Sequence, residues 1–422
     1  MRLLIAFIFI ASLSSCHVGR FAVYNFANIT DHKIFPYTEI LPSDQQFQFQ
    51  NGTKTSYTER IEKITITPPN GEGKQLDDYL REETKTTAFL VIKNDSILFE
   101  QYYRGYEQST ISNIFSATKS VTSMMVGIAI DEGKIKDVND VVTDYLPDFK
   151  NAHPYFQQLT IQHLLDMRAG FDFQERYATP FAEVAKLYYE TNQQKQLLKL
   201  GFSHEPGTYH SYQSASTSML GLIVERVTEQ PIGKYLEEKI WQPLGMQHRA
   251  TWSYDDQKHQ SSKTFCCFNT TAIDLAKIAR LYLNNGEWNG KQILSKEWVD
   301  AARTPNVEND SYQNQWYSST RIHRGEDGEY MLYPDSLSAI AGARQADLNH
   351  FSVSPKRGSE SWYIRYSGSD FYALGILGQI IYIAPEENLI MIRLGEKADS
   401  GYLKIFDAIQ KTINNPKISQ SS

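Results

Sequence analysis

Phe115-Ser116-Ala117-Thr118-Lys119-Ser120 (FSATKS) leads straight into Val121-Thr-Ser-Met-Met-Val-Gly-Ile-Ala-Ile-Asp131, a mostly apolar run with helical patterning. Residues at i and i+3 on a helix are neighbours, so a helix from Ser116 to about Asp131 brings Ser116 and Lys119 onto one face. A helix this apolar is a buried one, and burial disfavours the charged form of its lysine. A serine hydroxyl is a poor nucleophile without a base in reach, and a lysine of lowered pKa supplies one. Near the helix start, backbone N–H groups also point toward an oxyanion developing at Ser116. Alone, the spacing is weak evidence, because about one or two Ser-x-x-Lys matches arise by chance in a chain this long. An N-cap serine followed by a solvated lysine is the other reading of these six residues.

Outward from this fragment, the chain is strand-like at both ends and helical between. TTAFLVIKNDSILFEQYYRGY reads as two strands joined at Asn94-Asp95, a hairpin turn signal. Helical spacing appears in KQLDDYLREET, IQHLLDMRAGF, SMLGLIVERVTEQPIGKYLEEKIWQPLGM and AIDLAKIARLYLNNGEW. FYALGILGQIIYIAPEENLIMIRLGE then reads as two strands joined at Pro385 to Asn388, and YLKIFDAIQKTI as a closing helix. The order predicts an α/β sheet whose halves are separated in sequence by a mainly helical region, within about 132–285.

The chain has 422 residues, 41% hydrophobic and 22% charged, enough for a large core in one large or two closely packed domains. A net charge of −7 without a long Lys/Arg run offers no electrostatic footprint for nucleic acid, so DNA and RNA are excluded as expected partners. Met1-Arg2 followed by LLIAFIFIAS has the form of a secretory signal. Leu13-Ser-Ser-Cys16 resembles the lipobox of bacterial lipoproteins, which implies removal of residues 1–16 and a lipid anchor on Cys16 at the cell envelope. An ordinary signal peptide with Cys16 incidental is the alternative. The other two cysteines, Cys266 and Cys267, are adjacent, and adjacent cysteines rarely bond, so no disulfide framework is expected. Residues 17–73 are weakly patterned and read as an N-terminal extension, either ordered against the rest or a spacer. The main domain is expected over 74–418.

A second fragment changes the weight of the first. Glu205-Pro-Gly-Thr-Tyr-His-Ser-Tyr212-Gln213-Ser214 leads directly into the helical pattern SASTSMLGLIVERVT. A phenol near a serine and a lysine can pass a proton from nucleophile to leaving group, and a second hydroxyl can hydrogen-bond the substrate amide. Together the two fragments resemble the serine β-lactamase and penicillin-binding-protein superfamily, with Tyr212-Gln213-Ser214 standing as its Tyr-x-Ser motif. The likeness spans about 74–415. It is greatest to the 6-aminohexanoate-dimer (nylon-oligomer) hydrolases and related carboxylesterases, through Phe265-Cys-Cys-Phe-Asn-Thr-Thr-Ala-Ile-Asp-Leu-Ala276, ARLYLNNGEWNGKQILSKEWV and Gly375-Ile-Leu-Gly-Gln379. The resemblance implies an antiparallel sheet flanked by helices plus a helical subdomain, an acyl-enzyme on Ser116, and no metal or organic cofactor. It also implies an oxyanion hole completed by the N–H of Ile376, after Gly375, and a substrate contact from Tyr177 in the Glu175-Arg-Tyr177 loop.

One departure narrows the substrate. The superfamily commonly carries Lys-Thr-Gly or His-Thr-Gly on the strand lining the site, and no Lys-Thr-Gly occurs here. The matching strand, Tyr372 to Gln379, is apolar where the cation is expected, which disfavours β-lactam turnover and favours an amide or ester of modest size. His163 and His210 lack a Gly-x-Ser-x-Gly context and read as structural. No His-Glu-x-x-His or similar cluster argues for zinc. Two classes of function stand: an exported, membrane-tethered serine hydrolase using Ser116, Lys119 and Tyr212, with a D-amino-acid peptidase or β-lactamase as its variant, or a catalytically weak ligand sensor of the same fold. Retention of nucleophile, base and phenol together favours the hydrolase.

Overall fold

The structure, a computed structural model, describes residues 17–414 apart from 25, 52–55, 69–70, 305–310, 326–329, 349, 357 and 399–401. Helix α1 (His17–Tyr24) begins it, so Cys16 and the leader lie outside the described residues. Strands β1 (Thr86–Lys93) and β2 (Ser96–Tyr102) form the hairpin expected at Asn94-Asp95, whose φ values of 50° and 59° are the left-handed pair that a tight two-residue turn needs. Helix α2 (Thr118–Asp131) follows the nucleophile turn and is buried from Thr118 through Ala129. Helices α3 (Glu183–Tyr189), α4 (Ser214–Thr228) and α5 (Ala272–Leu283) belong to the middle of the chain. β3 (Trp362–Gly375), β4 (Gln379–Ala384) and β5 (Leu389–Gly395) join β1 and β2 in a nine-stranded sheet that also holds Gln50–Asn51, Tyr312–Gln313, Trp316–Ile322 and Phe351–Pro355, and α6 (Tyr402–Asn414) closes the fold.

Side chains alternate along a strand, and here both faces are apolar. Leu90, Ile92, Ile390 and Ile392 pack with the large core of α2, α4 and α5, while Phe89, Val91 and Met391 pack with Ile405, Phe406 and Ile409 of α6. β1 is buried at all but its last residue because it is central to the sheet: β3, β4, β5, β1 and β2 run in that spatial order, antiparallel throughout. The fold is thus a mixed α/β one with antiparallel sheets and helices, as the two-ended strand pattern predicts.

Three features depart from the sequence reading. The terminal apolar stretch makes three strands rather than two, because Leu377 (φ 62°) and Gly378 (φ 84°) reverse the chain and pair Gly375 with Gln379. The middle region holds strands of a second, four-stranded sheet, in which Ala250–Ser253 and Phe268–Thr270 join Tyr37–Ile40 and Ser112–Asn113. Cys266 and Cys267 are bonded to each other, contrary to the expectation for neighbours. Cys267 lies at φ 71°, and a left-handed residue turns neighbouring side chains toward each other instead of letting them alternate. As for the extension, Ile29, Phe35, Ile40 and Phe49 are buried, and Tyr37–Ile40 pairs in register with Ala250–Ser253.

Candidate active site

The small sheet sets the nucleophile. Ser112 and Asn113 pair with Thr270 and Asn269, Ile114 N–H donates to Phe268 O (3.1 Å), and the chain then turns sharply at Phe115, held at φ 47°. Left-handed geometry at a bulky residue is costly, and the Phe115 N–H to Asn113 Oδ1 bond (2.8 Å) helps hold it. Phe115–Ala117 forms one tight 3₁₀ turn feeding α2, so Ser116 stands at the helix entrance and Lys119 one turn along.

Lys119 is buried, and its Nζ has three oxygen neighbours: Ser116 Oγ at 3.1 Å, Ser214 Oγ at 3.1 Å and Phe265 O at 2.8 Å. A carbonyl can only accept. Ser214 spends its own proton on Glu175 Oε1 (2.6 Å), so toward the lysine it also accepts. A neutral amine has two N–H bonds and one lone pair. With the two N–H groups committed to Phe265 O and Ser214 Oγ, the lone pair faces Ser116, whose hydroxyl proton is not taken by Glu175 and is shared between the amine and the Tyr177 oxygen. Burial is the main reason the Lys119 pKa falls from 10.5 to about 8, and the Glu175 carboxylate opposes that fall.

Each partner is fixed by packing. Thr122 Oγ1 donates to Thr264 O (2.8 Å) and Thr264 Oγ1 to Thr217 O (2.9 Å), clamping the segment that presents Phe265 O between α2 and α4. That approach needs Gly221, where a Cβ would stand 2.2 Å from Thr264 Oγ1. Ser214 begins α4, and its N–H donates to Glu175 Oε2 (2.9 Å), which puts a carboxylate at a helix N-terminus, where negative charge is favoured.

The remaining predicted residues gather around this core. Tyr212 presents its ring to the lysine, with Nζ 4.9 Å from the centroid. Removal from water and the neighbouring Tyr317 and Tyr312 phenols hold its own phenol well above the ordinary value, so it is a proton donor at neutral pH. Tyr177 OH donates to Glu175 Oε1 (2.5 Å) and also meets the Ser116 hydroxyl. Ile376 and Leu377 line the same cleft as Ser116 and Ser214. Gly375 brings the end of β3 against the nucleophile turn, since a Cβ there would lie 2.2 Å from Ile114 O. His163 instead caps a short helix, its Nδ1 accepting from Thr160 N–H, and His210 lies beside the Tyr312 ring. Among the described residues no group of three or more His, Cys, Asp or Glu could hold a metal ion.

Two contributors escape the sequence reading. Glu175 was legible only as the neighbour of Tyr177, two residues away in one loop. Phe265 O is a backbone atom, which no side-chain motif announces.

A family model described as Beta-lactamase matches residues 75–407, a span that holds every one of these side chains. The chain belongs to the beta-lactamase family. It is 28% identical over 280 residues to the 6-aminohexanoate-dimer hydrolase of Paenarthrobacter ureafaciens, covering 62% of this chain and 67% of that one. A Salmonella agona protein named "Putative D-alanyl-D-alanine carboxypeptidase" is 31% identical over 182 residues, covering 38% of this chain and 41% of that protein, less than half its length. The solved structure named "Putative 6-aminohexanoate-dimer hydrolase from Bacillus anthracis" superposes with a TM-score of 0.69 at 22% identity, covering 92% of each chain, and shares the fold. Within the beta-lactamase family this chain is a serine hydrolase, and the pairing of the cleft-lining Ser116 with the buried Lys119 is its most distinctive chemistry.

Proposed function

We propose that this protein hydrolyses a small ester or amide through an acyl-enzyme on Ser116. Lys119 Nζ takes the hydroxyl proton as Ser116 Oγ bonds to the substrate carbonyl carbon, and the negative oxygen that forms is met by the N–H groups of Ser116 and Ile376. The proton passes by way of Tyr212 to the leaving nitrogen or oxygen as its bond to carbon breaks. Water then adds to the acyl carbon as its proton passes to Lys119, and the Oγ–carbon bond breaks as Lys119 returns that proton to Ser116, releasing the acid and restoring both groups. Ser214 and Tyr177 orient the substrate and Glu175 balances charge. The observation that carries the reading is the Lys119 amine, whose three neighbours include one proton source, Ser116.

Covalent labelling of the full-length protein with a fluorophosphonate tests it, read by intact mass and peptide mapping. The expected result is one adduct, on Ser116, absent in Ser116→Ala and slowed at least a hundredfold in Lys119→Ala. Folded wild-type protein that stays unlabelled, or labels elsewhere, sinks the reading and favours a ligand sensor. The apolar leader and Cys16 support export with a lipid anchor as part of the same proposal. Metabolic labelling with a fatty acid checks it, and label retained in Cys16→Ala refutes the anchor.

A further inference from the structure

The cleft that contains the Ser116 and Ser214 hydroxyls has a volume of about 340 Å³, and part of its wall comes from the beginning of the described chain. Phe21, Phe26 and Ala27 line it with Phe115, Tyr188 and Cys266. Phe21, on α1, lies edge-on to Tyr189 of α3 at 5.6 Å and to Phe26 at 5.9 Å. The chain just beyond is locked to the frame that holds the nucleophile: Asn113 N–H donates to Ile29 O (2.9 Å), Tyr188 OH donates to Asp31 Oδ2 (2.6 Å), and Phe35 meets the Tyr188 ring edge-on at 5.2 Å. Helix α1 joins α3 through Arg20 to Tyr189 O at 3.4 Å, His17 beside Glu190 at 3.7 Å and the packing of Phe21 against the core, and Phe26 is 56% exposed. The segment thus has a root fixed to the nucleophile's frame and two aromatic rings over the site.

Among the described residues that line the cleft none is charged. Away from the Lys119 and Glu175 charges behind Ser116 and Ser214, an ionised substrate group along this apolar wall loses hydration without gaining a partner, whereas each methylene buried there strengthens binding about fourfold. Aromatic rings supply large apolar area at fixed geometry.

We infer that the N-terminal segment is the substrate-selecting wall of this enzyme: Phe21 and Phe26 close the Ser116 cleft around an uncharged, apolar acyl chain, making medium-chain acyl esters or amides the substrate class. This rests on the reading of Ser116 as the acylated nucleophile. It gives Phe21 and Phe26 a part in specificity, although they precede the 75–407 span that the family model matches.

The test measures kcat/KM of the full-length protein for p-nitrophenyl acetate and octanoate, with octyl and methyl acetate as a second pair, in wild type and in the Phe21→Ala, Phe26→Ala double variant. Wild type is expected to favour octanoate over acetate by about a hundredfold, fewer than the full set of added methylenes being buried. The double variant is expected to lose at least tenfold of that ratio, which is internal because both esters acylate Ser116; a melting curve verifies folding. An unchanged ratio in the folded variant overturns the wall. A flat acyl profile beside a strong preference for octyl over methyl acetate overturns the acyl assignment. Failure of both esters together with absence of a fluorophosphonate adduct on Ser116 overturns the underlying hydrolase reading, and a Ser116 adduct with a preference for charged acyl groups overturns this inference alone.

Discussion

The substitution Glu175→Gln is expected to make the enzyme work at lower pH. The base must be the neutral amine, so kcat/KM rises with pH to a plateau as Lys119 loses its proton, with a midpoint near its pKa of about 8. About a tenth of the molecules then carry a neutral amine at pH 7, against about one in three thousand for an unperturbed lysine, a difference of about 3 kcal/mol. Glu175 works against this gain, because its negative charge stabilises the ammonium. It reaches the amine through Ser214, over legs of 2.6 and 3.1 Å, so the charges stand within about 6 Å of each other. At an effective dielectric constant of about 20 and that full separation this is about 3 kcal/mol, near two pH units before solvent screening reduces it. The amide that Glu175→Gln introduces keeps an acceptor for the Ser214 hydroxyl and removes the charge, so the midpoint should fall by about one to two units, toward about 6 to 7. The assay is kcat/KM for one neutral ester from pH 5 to 10, each profile normalised to its own plateau. A midpoint that stays put or moves upward refutes the assignment of that limb to Lys119, and with it the role given to Glu175.

Other outcomes follow from the same geometry. Lys119→Arg keeps the positive charge but cannot deprotonate, so turnover should drop at least a thousandfold at every pH between 6 and 10, measured as steady-state rate. Tyr212→Phe keeps the ring over the lysine and loses the donor; kcat should fall by about a hundredfold with KM little changed. Gly221→Ala forces Thr264 away from α4, and a melting curve should register about 1 to 3 kcal/mol of lost stability, with slower Ser116 labelling as Phe265 O shifts from the amine. Opening the Cys266–Cys267 bond by paired Ala substitutions should cost only about 1 kcal/mol, because a cross-link between neighbours restrains almost no loop; a loss of several kcal/mol in denaturant titration contradicts that account.

Much of this was written in local sequence. The FSATKS fragment, the Asn94-Asp95 turn and the alternating strands declared themselves because each depends on residues a few positions apart. What stayed hidden depends on distant parts of the chain meeting. Phe265 O faces Lys119 only because Phe268–Thr270 pairs with Ser112–Asn113, and nothing in Phe265 itself signals it. The break at Leu377 was masked by an unbroken apolar run, in which left-handed backbone at a leucine has no side-chain marker. The bonded cysteines follow from a left-handed Cys267, equally invisible in composition. The weakly patterned start of the chain hid its place at the cleft because isolated aromatic residues such as Phe21 and Phe26 carry no period.

The central pairing of the large sheet has a consequence for how the molecule is made. β1 is bordered on one side by β2, its immediate neighbour in sequence, and on the other by β5, with Ile92 opposite Ile390. Arg393 ties the two ends together, donating to Thr84 O at 2.7 Å and to Gly378 O at 2.5 Å. A ribosome that has already released the serine, the lysine and the tyrosine has therefore produced an inert chain, since the strand that backs them and the turn bearing Ile376 come last. Such long-range closure is slow and exposes apolar edges while it waits. A stop codon just before β5 should accordingly yield aggregated protein rather than a weakened enzyme.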